Sequence, residues 1–213
     1  SANQNLRNFT NSIAHDLRSP IRAILSYSQF LAMQAKDQFS NEQNRYIQNI
    51  TNQAQRMGEL IDSLVGFARI GSYAVRKEWL ELEIIARDIF SNLSYMTDDI
   101  ETELIIRDCP RVWADLELTR QTITNLFSNA IKYNQRKEKR IIEFGGYPDK
   151  SKLEIIYYVK DNGIGFDPIY AEKIFGLFER IHPELQEEGS GIGLSIVKRA
   201  VELQNGAVWA TSE

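Results

Sequence analysis

A few short stretches of this chain have residue types and spacings suited to chemistry. Ile13 to Ile21, IAHDLRSPI, sets one of only two histidines, His15, directly beside Asp16. A carboxylate next to an imidazole can take one ring N–H, fix the tautomer, and steady the charge that builds when the other nitrogen reacts. Asn125 and Asn129 are four apart, so within a helix they share one face. Asp161 to Pro168, DNGIGFDP, carries Gly163 and Gly165, and Asp161 there offers a fixed acceptor. Glu187 to Gly206, EEGSGIGLSIVKRAVELQNG, has Gly189, Gly191 and Gly193 at alternate positions before an amphipathic run. Glycine lets backbone approach a ligand closely, and free N–H groups at a helix start suit phosphate. The spacing is not GxGxxG and GK[ST] is missing, which disfavours a dinucleotide fold and excludes a P-loop. Taken singly, each stretch has a plainer reading: a solvated histidine, two exposed amides, an ordinary tight turn.

These groups need elements to hold them. Ile47, Ile50, Ala54, Met57, Ile61, Leu64 and Ala68 are spaced alternately by three and four, a heptad pattern. Ser40 followed by Gln43 forms a capping-box signature at its start. Phe9, Ile13, Leu17, Ile21, Ile24, Ser28 and Leu31 repeat the theme in an earlier helix, and Ala35 to Ser40 is a short connection. The spacing predicts an antiparallel hairpin whose stripes are too wide for two helices, which a homodimeric four-helix bundle would solve. His15 lies ~200° from Ile13 and Leu17, off that pattern. Pro20 lacks an N–H, so the Asp16 carbonyl loses its partner and the helix is expected to bend and loosen there.

From Trp79 onward the grammar changes to short β-rich runs alternating with helices. Leu116 to Asn134 reads as a helix, Arg140 to Phe144 and Lys152 to Asp161 as strands joined across GGYPDKS, and Asn205-Gly206 as a helix stop. Tyr170 to Gln186 has few strong core positions and reads as a mobile lid, while Trp79, Trp113 and Trp209 read as core or core-edge residues. The 213 residues, 43% hydrophobic and 25% charged, suit one or two globular domains. A net charge of -4 gives no cause to expect nucleic-acid binding, and single Cys109 excludes an internal disulfide and fits a reducing compartment. No apolar run approaches the ~20 residues that span a bilayer, so no membrane contact and a cytoplasmic location are expected.

In this order the blocks resemble the transmitter module of a sensor histidine kinase. The H-box is HDLRSP at His15 to Pro20, and the N-box is NLFSNAIKY at Asn125 to Tyr133. DNGIG at Asp161 to Gly165, IFGLFERIH at Ile174 to His182 and GSGIGL at Gly189 to Leu194 complete the set. The wording FERIHPE…GSGIGL is most similar to kinases attached to phytochrome-type photoreceptors. The resemblance implies an α plus α/β protein. A dimerisation and phosphotransfer hairpin over 1–71 would form a dimeric four-helix bundle, followed by a linker at 72–78. An α/β-sandwich ATP-binding domain shared with gyrase-type ATPases and heat-shock chaperones would span 79–213. It implies autokinase activity with ATP and Mg²⁺, and transfer to an aspartate of a response regulator receiver domain.

By the same mapping His15 receives the γ-phosphoryl group and Asp16 accepts or orients its ring proton. Asn129 is the Mg²⁺ ligand with Asn125 beside it, Lys132 and Arg180 meet phosphates, Tyr133 packs near the nucleoside, and Asp161 binds the adenine amino group. Gly163, Gly165, Gly189, Gly191 and Gly193 let the backbone hold the nucleotide, with Phe178, Ser190 and Leu194 in the same set. Ser19 stands where many relatives with strong phosphatase activity carry Thr or Asn, so the resemblance does not extend to that activity. The family's domain ordinarily runs on through a glycine-containing turn and a last strand beyond GAVWATSE, so the chain reads as a fragment. Two rival classes use parts of the same pattern. A gyrase-type ATPase clamp would need the pocket but not His15, and a degenerate scaffold would be expected to have lost a motif residue.

Overall fold

The computed structural model describes residues 2–34, 39–70, 73–94, 101–134, 139–149, 154–181 and 191–212. The chain divides into two compact units, Ser1–Tyr73 with Glu184–Ile192 and Ala74–Pro183 with Gly193–Glu213. The first strand of the second unit starts at Lys77, inside the stretch expected as linker.

The first unit is the expected hairpin, α1 (Ala2–Gln34) and α2 (Asn41–Ile70). Its second helix opens with the reciprocal capping box: Ser40 N donates to Gln43 Oε1 at 2.8 Å, and Gln43 N to Ser40 Oγ at 3.2 Å. Pro20 does not interrupt α1, which runs on through it as one helix. Inside the hairpin lie Ala14, Ile21, Ala54, Ile61 and Val65, with Leu25 packed against them. Within one hairpin the expected seam is covered only in part. Ile13, Leu17, Ile24, Leu31, Ile50 and Met57 are exposed, whereas Ala14 and Val65, outside the heptad pattern, are buried. Two antiparallel helices bury only the line between them, so the rest of each broad apolar stripe stays outside.

The second unit sets a three-stranded sheet under helices. Strand β2 (Thr102–Ile106) pairs parallel with β4 (Arg140–Asp149), which pairs antiparallel with β5 (Glu154–Asp161). A separate antiparallel ribbon joins β1 (Lys77–Leu80) to β3 (Val112–Asp115). Helices α3 (Leu82–Ser94), α4 (Leu116–Lys132) and α5 (Gly193–Leu203) follow β1, β3 and the glycine-rich turn. Phe127 of α4 is fully buried and meets Phe90 and Phe144 edge-on, at 6.5 and 5.8 Å between centroids. Ile85, Ala86, Ile89, Ile123, Ala130, Ile131 and Ile142 close the core around it.

Three sequence readings change here. GGYPD belongs to β4 rather than a turn, because the strand needs glycine where tyrosine rings lie. A Cβ on Gly145 would stand 2.9 Å from Tyr158 Oη, and one on Gly146 would stand 2.7 Å from Tyr157 Cδ1. Trp79, Trp113 and Trp209 are 59%, 52% and 59% exposed rather than core. Trp79 and Trp113 are directly opposite in the ribbon, rings 5.5 Å apart, and brace it from outside. The start of the expected lid is anchored: Ile174 and Phe175 are buried, in a short turn packed against α5.

Helix ends are tied with care. Asp115, 1% exposed, caps α4 by accepting from Leu118 N at 3.2 Å. Its other oxygen accepts from Arg76 N at 2.7 Å, ahead of β1. Gln204, just past α5, accepts from Asp115 N at 2.7 Å through Oε1 and from Lys77 Nζ at 2.8 Å through its carbonyl. Helix α5 stops as expected: Asn205 adopts φ 65° and Gly206 N bonds back to the Val201 carbonyl at 3.0 Å.

Candidate functional site

On the hairpin, the imidazole and carboxylate of His15 and Asp16 are 84% and 76% exposed. Nδ1 faces Asp16 Oδ1 at 3.4 Å, a long contact that leaves Nε2 turned away from the carboxylate. The neighbouring turn is pinned to α2, since Arg18 Nη2 donates to Asp62 Oδ1 at 2.6 Å. The sequence pair thus stands as a solvent-facing imidazole with a carboxylate beside it.

In the second unit a cleft of about 430 Å³ opens beside α4, the end of β5 and the tail at 207–211. Six of the expected residues line it: Asn129, Tyr133, Asp161, Gly165, Arg180 and Leu194. The apolar face of α4 sits in the core, which turns Asn129 and the C-cap residue Tyr133 toward the cleft. Asp161 stands where β5 gives way to the loop, and its carboxylate accepts from Gly163 N at 2.8 Å. Packing behind this residue pushes its pKa above the ordinary carboxylate value, and the Gly163 N–H draws it back. The set combines an acceptor, an aromatic ring, an amide and a cation, which suits a ligand with a polar base and anionic groups.

The remaining expected residues do other things. Asn125 donates to the Gln121 carbonyl at 2.8 Å, and its Oδ1 lies 3.0 Å from where a Cβ on Gly193 would stand. It packs α4 on the first turn of α5 instead of lining the cleft. Gly163 is demanded by the chain itself, as a Cβ there would come within 2.7 Å of the Tyr133 carbonyl. That carbonyl also accepts from Ile164 N at 3.1 Å. Lys132 holds its ammonium 4.9 Å from the Tyr133 ring centroid. Phe178 is 56% exposed at φ 63°, a backbone region costly for a non-glycine residue. Gly165 and Gly191 take φ 65° and 68°, which glycine alone adopts freely. Gly189, Ser190 and His182 lie outside the described residues.

Sequence reasoning missed Phe166, Glu179 and Trp209 as cleft residues. The signal for Trp209 was available: a lone large aromatic in the short stretch after a helix stop. Among the described residues no group of three or more His, Cys, Asp or Glu could hold a metal, and no helix is long and apolar enough to cross a membrane.

Comparison with known proteins bears on both regions. Residues 5–72 match the family described as the His Kinase A (phospho-acceptor) domain. Residues 114–213 match the histidine kinase-, DNA gyrase B- and HSP90-like ATPase family. Cyanobacterial phytochrome B of Nostoc sp. is 35% identical over 213 residues, which cover 99% of this chain and 28% of that protein. The chain therefore spans less than a third of that relative's length. Full-length ShkA in complex with AMPPNP superposes with a TM-score of 0.66 at 23% identity, over 97% of this chain and 43% of that one. Histidine kinase ThkA in complex with the response regulator TrrA gives 0.61 at 20% identity, over 95% and 56%.

Proposed function

Because the chain belongs to the histidine kinases, joining a phospho-acceptor hairpin to a gyrase-like ATPase domain, we propose that it phosphorylates His15 from ATP and passes the phosphoryl group to an aspartate of a response regulator. The observation that carries this reading is His15 itself, exposed on α1 with Nδ1 toward Asp16 and Nε2 free to attack. In the step, the Nε2 lone pair forms a bond to the γ-phosphorus and the bond to the bridging β,γ oxygen breaks, releasing ADP. The Nδ1 proton stays on the ring or moves to the Asp16 carboxylate, so the imidazolium charge is held or relieved locally.

The cleft of the second unit is the proposed ATP site. Asp161 accepts from the base, Tyr133 packs on the nucleoside and Arg180 meets the phosphates, with Lys132 proposed as a further phosphate contact. Asn129 supplies an amide oxygen suited to a hard cation. Mg²⁺ bound there would neutralise charge on the transferring group. The exposed apolar stripe of α1 and α2 supports a homodimeric four-helix bundle. A kinase with this fold has been crystallised with its response regulator, which supports a receiver domain as partner. A cytoplasmic location belongs to the same reading.

Incubation with γ-labelled ATP and Mg²⁺ tests it. Label that survives alkali, is lost in acid, and disappears in His15→Gln is the expected outcome. Hydrolysis without label on the protein would sink the transfer step and favour an ATPase clamp.

A further inference from the structure

Asn162 lies between Asp161 and Gly163 but does not line the cleft. Its side chain is spent on the chain around it. Oδ1 accepts from Ile141 N at 2.8 Å, at the start of β4, and also from Nδ2 of Asn134, just past α4. Nδ2 donates to the Lys139 carbonyl at 3.1 Å, while its own backbone N donates to the Ile141 carbonyl at 3.3 Å. Asn134 is fully buried, and its Oδ1 has no hydrogen-bond partner among the described residues. One amide therefore ties the loop after β5 to two other elements, and one of its partners directly follows cleft residue Tyr133.

We propose that Asn162 is a positioning residue for the nucleotide base. It sets where the Asp161 carboxylate stands relative to Tyr133 and Asn129, and so governs affinity and base preference without touching the ligand. The proposal rests on the reading of the cleft as an ATP site. The physical argument is one of alternatives. The Gly163–Asp161 bond is internal to the loop and travels with it. The ladder pairing of Asp161 with Ile142, the Ile164–Tyr133 bond and the backbone bond to Ile141 each tie the loop at one point, whereas this side chain ties it to the end of α4 and the start of β4 together. Removing it leaves Ile141 N and the buried Asn134 amide without their acceptor, and such groups are costly to leave unsatisfied. The loop then shifts to find water, and a carboxylate displaced by a fraction of an ångström loses directional bonding to a base.

The test is calorimetric titration of the full chain with ADP and, separately, GDP, for wild type, Asn162→Ala and Asn162→Asp. For Asn162→Ala the expected result is a Kd for ADP weakened roughly tenfold at unchanged stoichiometry, with the preference for ADP over GDP narrowed. Asn162→Asp keeps the shared oxygen and is expected to recover most of the affinity. A merely structural role would lower the stoichiometry, as part of the protein unfolds, and leave Kd and base preference alone. That result, or an Asn162→Ala Kd within about twofold of wild type, overturns the proposal. A wild-type chain that binds neither nucleotide overturns the proposal together with the ATP-site reading. One that binds ADP but never labels His15 overturns the transfer reading alone, and the strut stands or falls on its Kd values.

Discussion

The hairpin packs small and few residues inside, Ala14, Ile21, Ala54, Ile61 and Val65, and leaves Leu17, Ile24, Ile50 and Met57 in water. The second unit buries Phe127 completely and packs α3 and α4 on its sheet, with α5 against α4. One unit has a finished interior and the other half of one. The contrast fits the proposed homodimer: the pocket domain carries its own core, while the hairpin leaves an apolar surface that a second copy would cover. In such a dimer the hairpin's stability and its assembly would be one quantity.

The comparison is broken most easily in the pocket domain. Phe127→Ala removes a fully buried ring between Phe90 and Phe144 and is expected to cost about 3–5 kcal/mol. Denaturation followed by probes in each unit should show the second unit's transition lowered and the hairpin's unmoved. Equal shifts in both would mean that the two do not unfold separately. Leu17→Asp comes next, an exposed residue whose burial against a second hairpin is worth about 2 kcal/mol per subunit. Sedimentation at falling concentration should find the variant monomeric where wild type is dimeric, with ADP binding intact. A variant that dimerises as tightly as wild type would refute the unfinished-core account. The smallest effect is the sharpest probe of what covers the hairpin. A Cβ on Gly58 of α2 meets no atom within 4 Å, so Gly58→Ala should stabilise the helix by about 1 kcal/mol in thermal melts. Destabilisation instead would locate the second copy against that turn.

Local structural signals were legible because each depends on residue type at a fixed spacing. Ser40 and Gln43 exchange the bonds their capping signature requires, and Asn205-Gly206 ends α5 by the expected left-handed turn. Readings failed where the deciding neighbour was distant in sequence. Gly145 and Gly146 look like a turn until Tyr158 and Tyr157 from the next strand are placed across from them. The heptad pattern names the apolar stripe correctly but cannot say which of its edges meets the other helix of the same chain. Gly163 and Asn125 invited a ligand role, but a Cβ on Gly163 would meet the Asp161 carboxylate and the Tyr133 carbonyl, and Asn125 lies against Gly193. Asn162 looked like filler between two motif residues, since nothing local shows that Ile141, Lys139 and Asn134 converge on it.

Asp115 gives the entry to the second unit an unusual property. One carboxylate oxygen carries the first turn of α4 while the other holds the amide of Arg76, so both protons answer to the same buried group. The Arg76 amide hydrogen leaves for solvent only when that carboxylate lets go, and the same release uncaps the helix bearing Asn129. Its exchange rate is therefore a clock for the opening of α4. A tug on the chain at Arg76 arrives at that helix as a lost cap.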